Sequence, residues 1–202
     1  MPLFKKIKLF FIHIPKTGGT SIDNFLYKKY NIERNVENFF SSCPIKLNKH
    51  TLQHSTYEEL VKYGKCLNIQ INKYKLLSIV RNPYNRIVSE LFYNGFIDIN
   101  STKEFVEIKI KDFLEDDYHY DNHKTPQYKF VTYKNKLVKD IVILRTETLT
   151  EDMRKYGFAD FDENANKTFR DKIDYMNLLS DKAKNIIYDY YKKDFELFNY
   201  DK

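Results

Sequence analysis

Lys8-Leu9-Phe10-Phe11-Ile12-His13-Ile14-Pro15-Lys16-Thr17-Gly18-Gly19-Thr20-Ser21 is the stretch on which the fold turns. Residues 8–14 form an apolar run of strand length, and residues 15–19 break it with a proline and a glycine pair. From Ser21 to Tyr30 the apolar spacing becomes helical. Strand, tight loop and helix in that order place backbone N–H groups at a helix N-terminus, where the dipole favours negative charge. Gly18 and Gly19 let backbone donors approach an anion, Thr17, Thr20 and Ser21 add hydroxyls, and Lys16 adds a full positive charge. The lysine precedes the glycine pair, so the G-x-x-x-x-G-K-[ST] spacing of a metal-dependent NTPase is absent.

Working outward, a second unit of the same kind follows. Residues 74–80 read as an apolar strand, Arg81-Asn82-Pro83 as the break, and residues 84–96 as a helix, with Pro83 suited to a first helical turn. Residues 140–144 read as another buried strand, and Thr148-x-x-Glu151 marks a capped helix start. Ser55-x-x-Glu58 and Ser101-x-x-Glu104 predict helices over 56–63 and 102–115. Ser180 is expected to cap the last long helix, in which Ile186, Ile187, Tyr190, Tyr191, Leu197 and Phe198 make a broad apolar face. Strands alternating with helices imply an α/β fold with a central, mainly parallel sheet covered on both faces. No linker or repeat interrupts the 202 residues, so residues 1–202 are expected to form a single domain.

Composition narrows the partners. The chain is 42% hydrophobic and 31% charged, which is ordinary for a globular protein, and its 17 Tyr and 16 Phe carry no functional weight. A net charge of +6 suits an anionic partner, but lysines and arginines are spread along the chain without a basic run or a nucleic-acid-binding motif. Nucleic acid is therefore not expected. Cys43 and Cys66 are too few for a disulfide framework and are not spaced as a zinc site, so free thiols in a reducing, cytoplasmic compartment are expected. The run Leu9-Phe10-Phe11-Ile12 is far below membrane-spanning length, and the Asn100 and Asn166 sequons carry no information in that compartment.

The first loop, Pro15-Lys16-Thr17-Gly18-Gly19-Thr20-Ser21, resembles the 5'-phosphosulfate loop of sulfotransferases that use 3'-phosphoadenosine 5'-phosphosulfate (PAPS), in the carbohydrate (heparan/chondroitin-type) branch. Val80-Arg81-Asn82-Pro83-Tyr84-Asn85-Arg86-Ile87-Val88-Ser89 resembles the 3'-phosphate motif of that family, which carries its role over to Arg81 and Ser89. An arginine fork at a strand end binds a phosphate bidentately, and nucleotides bind at such ends of open α/β sheets. Weaker similarity runs through residues 123–127, 144–149 and 191–200, so the resemblance covers about residues 8 to 200. It implies a P-loop-NTPase-like three-layer fold, PAPS as co-substrate, adenosine 3',5'-bisphosphate as product, and a hydroxyl-bearing acceptor, favoured as a carbohydrate.

Sulfuryl transfer needs in-line positioning, charge stabilisation and a base for the acceptor proton. Lys16 is the candidate for stabilising the transferring group. His54 is the candidate base, because Gln53-His54-Ser55-Thr56-Tyr57-Glu58 resembles the segment where the carbohydrate branch places a histidine. His123, in a segment resembling one near the acceptor, is assigned to substrate binding, with His50, His119, Glu58 and Glu59 as rival bases. Glu115-Asp116-Asp117 is read as a solvated face, Arg145 and Glu147 as an ion pair, and no metal is expected. A small-molecule kinase and a non-catalytic nucleotide- or glycan-binding domain are the competing readings.

Overall fold

The structure, a computed structural model, describes residues 3–33, 52–66, 69–118, 120–162 and 173–202. Cys43, His50, His119 and the Asn166 sequon lie outside these residues, as does the side chain of Cys66. The elements in chain order are β1 (Leu3–Phe4), β2 (Leu9–Ile12), α1 (Gly19–Tyr30), α2 (Tyr57–Cys66), β3 (Lys75–Val80), α3 (Pro83–Tyr93), α4 (Lys103–Glu115) and α5 (Tyr128–Val131), then β4 (Thr132–Tyr133), β5 (Lys136–Leu137), β6 (Ile141–Arg145), α6 (Leu149–Lys155) and α7 (Asp181–Phe198). Short 3-10 turns at Leu52–His54 and Tyr120–Asn122 carry residues that matter below.

The main sheet runs β1-β2-β3-β6, with β2, β3 and β6 mutually parallel and β1 antiparallel at the edge. The β4–β5 hairpin stands apart. Alternation along the strands explains why both faces are covered. Phe11, Leu77 and Ile79 pack against Ile22 and Leu26 of α1 and Leu149 and Met153 of α6. Phe10, Ile12, Leu76 and Val80 point the other way, onto Leu60 of α2 and Phe130 and Val131 of α5. A third cluster joins α3, α4 and α7 through Leu91, Ile110 and Ile187. The expected three-layer α/β architecture with a mainly parallel sheet is present. All three parallel strands end on the same side, which brings the loops after β2, β3 and β6 together.

Two helix starts differ from expectation by one residue, for a common reason. Thr56, not Ser55, forms the capping box, with Glu59 accepting from the Thr56 backbone N–H at 2.7 Å. Thr102, not Ser101, caps α4 by accepting from the Phe105 N–H, while the Ser101 hydroxyl contacts Asp98. In both Ser-Thr pairs the threonine stands next to the helix, in extended backbone at Thr102, and the serine lies one residue further from the first-turn N–H groups. Thr148 does not cap α6, because its hydroxyl donates to Asp152 instead. Ser180 caps α7 through the Ala183 N–H, as expected. Within α7, Tyr190 and Leu197 are each 40% exposed, and Asp194 is buried. Non-helical backbone at Tyr191 resets which side of the later turns faces inward. Among the described residues no helix is long and apolar enough to cross a membrane.

Candidate active site

The loop after β2 leaves the sheet at Ile12 and reaches α1 through two left-handed residues, Lys16 (φ 63°) and Gly18 (φ 86°). Gly18 stands at the N-cap of α1, which no side chain caps, so the first-turn N–H groups carry no side-chain acceptor. Gly19 is required for a separate reason. A Cβ there would lie 2.4 Å from Nε2 of His13, whose buried ring fills the space beneath the loop. The Thr17 hydroxyl, expected to face the anion, is fully buried and donates to the Ile14 carbonyl at 2.9 Å, so this side chain braces the loop from inside. Thr20 is exposed and Ser21 half-buried, which leaves their hydroxyls on the outer side of the same turn.

The loop is tied to the next two strand ends. The Thr146 hydroxyl, just after β6, lies 2.7 Å from the Thr17 carbonyl and 3.1 Å from the Val80 carbonyl. Arg81, at the end of β3, donates from Nη1 to the Lys16 carbonyl at 3.2 Å. Its backbone is held on both sides by Gln127, whose Oε1 accepts from the Arg81 N–H at 2.9 Å and whose Nε2 donates to the Arg81 carbonyl at 2.8 Å. Gln127 is in turn anchored by Asp194 of α7, which accepts from the N–H groups of Gln127 and Tyr128, both at 2.8 Å. Asn82 caps α3 and gives its own N–H to Glu147. Glu147 and Arg145 do not pair with each other. Glu147 also accepts from the Tyr200 hydroxyl, and Arg145 donates to the Phe198 carbonyl, so both support the strand ends. Ser89 sits half-buried on α3, the helix that Arg81 leads into.

The other half of the site is a nest of imidazoles. His54, only 7% exposed, stacks edge-on against His13 at 5.2 Å between ring centroids and against His123 at 4.9 Å. His54 Nδ1 lies 3.2 Å from the His13 carbonyl, which only accepts, so Nδ1 carries the proton and Nε2 the lone pair. Burial, followed by the neighbouring His13 and His123, pushes the His54 pKa down to about 2, so its neutral form prevails. Asp121 Oδ2 stands 3.8 Å from His54 Nε2. Tyr120, Asp121 and Asn122 all have positive φ, and this left-handed turn is pinned by Asn122 Nδ2, which donates to the His54 carbonyl at 2.8 Å. Nitrogen or oxygen atoms of His54, Asp121 and His123 lie within 4.8 Å of one another, a grouping that no sequence spacing foreshadows.

Tyr93 of α3 joins the two halves. The Lys16 ammonium sits 4.0 Å from its ring centroid, and the His123 ring stacks on it at 5.8 Å. Arg86, 3% exposed, donates from Nε to the Pro15 carbonyl and from Nη2 to the His123 carbonyl, at 3.0 and 2.7 Å. The structure thus links Arg81, Lys16, His123 and His54 through one chain of contacts that passes over Tyr93. Glu58 accepts from the Lys134 N–H, while Glu59 closes the capping box and also contacts Asn122 Nδ2 at 3.4 Å, beside the imidazoles. Sequence reasoning missed His13, Arg86, Glu90, Tyr93 and Asp121. Only Arg86 and Glu90 carried a local signal, the four-residue spacing of opposite charges on one helix.

The family model described as the sulfotransferase family matches residues 3–201. No curated protein and no solved structure matches the chain.

Proposed function

The chain belongs to the sulfotransferase family and so is a transferase of sulfonate groups, and from that premise we propose that its donor is PAPS and its acceptor a carbohydrate hydroxyl. The observation that carries this reading is the pairing of two anion sites at adjacent strand ends: the uncapped α1 N-terminus with Lys16, and Arg81 held rigid by Gln127. Two anion sites at adjacent strand ends suit a nucleotide bearing charged groups at both its 5' and 3' positions.

In this reading the backbone of Thr17, Gly18, Gly19, Thr20 and Ser21 receives the 5'-phosphosulfate, with the Thr20 and Ser21 hydroxyls beside it. Arg81 and Ser89 receive the 3'-phosphate. Lys16 neutralises charge growing on the transferring sulfonate and on the leaving phosphate oxygen. His54 accepts the acceptor proton at Nε2, the nitrogen left unprotonated by its bond to the His13 carbonyl. Asp121 then faces the resulting imidazolium. His123 lines the acceptor side. The basic balance of the chain favours an anionic saccharide.

Calorimetric titration with adenosine 3',5'-bisphosphate, beside ADP and ATP with magnesium, tests the donor. Binding of the bisphosphate well ahead of ADP and ATP is the expected result, and glycan acceptors are then screened with PAPS. Preference for ATP would instead support a kinase, and absence of binding to all of them a non-catalytic domain.

A further inference from the structure

We propose that Glu90 is a positioning residue that makes His123 the resting place of the proton taken from the acceptor hydroxyl. This rests on the sulfotransfer reading above and names a second step at the same site. Glu90 projects from α3 with its side chain 3% exposed. One carboxylate oxygen lies 2.7 Å from His123 Nδ1, and the other accepts from Asn94 Nδ2 at 2.6 Å. A buried carboxylate is costly unless its oxygens are engaged, and here each has a partner. Because the carboxylate accepts, His123 Nδ1 carries the proton and Nε2 is left as the lone-pair nitrogen.

The His123 ring is fixed from several sides. Tyr93 stacks on it, His54 meets it edge-on, and Arg86 holds its carbonyl. The charged or titratable groups around this pair include Arg86 and Tyr93 from α3, Lys16 across Tyr93, His54, Tyr120 and Asp121 from the Tyr120–Asn122 turn, and Tyr191 from α7. His54 and His123 differ in what stands behind them. Behind His54 Nδ1 is a neutral carbonyl, and behind His123 Nδ1 is a carboxylate. A proton on His54 Nε2 has the Asp121 carboxylate only at 3.8 Å in a buried site, whereas His123 carrying the same proton is held through Nδ1 by the Glu90 carboxylate at 2.7 Å.

The sequence of events balances. The acceptor O–H bond breaks as its oxygen bonds to sulfur, and the sulfur–oxygen bond to the donor phosphate breaks with its electron pair, releasing adenosine 3',5'-bisphosphate. The proton goes to His54 Nε2 and then to His123 Nε2, from which solvent removes it between turnovers.

The test follows each imidazole by NMR through an acid-to-neutral titration, in the wild type and in Glu90→Gln, beside kcat and KM against pH. In the wild type His123 is expected to hold the Nδ1–H tautomer, with Nε2 as its lone-pair nitrogen. Glu90→Gln is expected to weaken that preference, since the amide no longer presents a carboxylate to Nδ1–H. In parallel kcat at neutral pH falls roughly tenfold, as expected of a weakened acid–base step. The acid limb of the pH profile moves to lower pH, the KM for PAPS is unchanged, and Glu90→Asp recovers part of both effects. An unchanged His123 tautomer in folded Glu90→Gln overturns the proposal, as does a kcat loss with no shift in the pH profile. If Glu90→Gln does not fold, the wild-type spectrum decides alone, because an Nε2–H tautomer of His123 is incompatible with it. Absence of turnover with every hydroxyl acceptor would sink the sulfotransfer reading instead, and the titrations would still report on the Glu90–His123 pair.

Discussion

The two ends of the proposed site are built from different materials. At the loop after β2 the groups offered to an anion in the proposed reading are largely backbone, contributed by neighbouring residues and braced by carbonyl contacts from Thr17, Arg81 and Thr146. At the end proposed for the acceptor the groups are side chains, with His13, His54 and His123 arriving from three distant segments. A polyanion of constant shape is well served by rigid N–H groups, while removal of a proton needs a group that changes charge. The sharpest way to break this contrast is Lys16→Ala, the one full side-chain charge carried by the backbone-built loop. Its kcat in single-turnover assays is expected to fall by about 100- to 1000-fold, the loss typical of one preorganised transition-state contact. The His123 tautomer of the same variant is expected to be unchanged. Wild-type turnover would remove Lys16 from the chemistry, and a changed tautomer would mean that the two ends are not separable through Tyr93.

A smaller effect is expected where the donor half leans on α7. Burial pushes the Asp194 carboxyl up to about 6, against the opposing pull of its two backbone N–H donors. The folded pKa lies above the ordinary value of 3.8, so protonation favours the folded state. This contribution is fully present below about 3.8 and is lost as pH rises through about 6. The unfolding free energy of the wild type relative to Asp194→Asn, taken from melting curves, is therefore expected to rise as pH falls from neutral through that window, by an amount on the order of 3 kcal/mol. If the gap widens at neutral pH instead, the two N–H bonds outweigh burial, and the Gln127 clamp on Arg81 is held by an ionised carboxylate.

The same contrast explains what could be read from the sequence. The donor half was legible because strand, glycine loop and helix are consecutive, and so are Val80, Arg81 and the Pro83 helix start. Even there the Thr17 hydroxyl misled, since residue type does not tell which side of a tight loop a side chain takes. Capping boxes were placed one residue early at Ser55 and Ser101, where a Ser-Thr pair offers two hydroxyls and local φ/ψ chooses between them. The acceptor half was legible only as separate histidines. His13 reads as part of an apolar strand, and Asp121 as a loop acid. Their convergence with His54 and His123 depends on a left-handed turn and on long-range packing, for which no short-range pattern exists. Gln127 and Asp194 belong with them. Each lies in a segment of recognised similarity, yet the bond that makes them matter spans α5 and α7.

Ser89 gives the finest test of the division. It stands on α3 beyond the end of β3, half-buried, on the helix that also carries Arg86, Glu90 and Tyr93 of the acceptor half. If its hydroxyl serves the 3'-phosphate, Ser89→Ala removes one hydrogen bond to a charged group, a loss of roughly 1.5 kcal/mol or about tenfold in affinity. Calorimetry should find that loss for adenosine 3',5'-bisphosphate and none for adenosine 5'-phosphate, which lacks the 3' group. The acid limb of the pH–rate profile should not move, because among the described residues Ser89 makes no hydrogen bond to His54 or His123. Equal weakening of both nucleotides would place Ser89 beside the nucleoside rather than the 3'-phosphate. A shifted pH profile would mean that α3 transmits strain from one half to the other, and the helix would then be the joint through which donor binding reaches the Glu90–His123 pair.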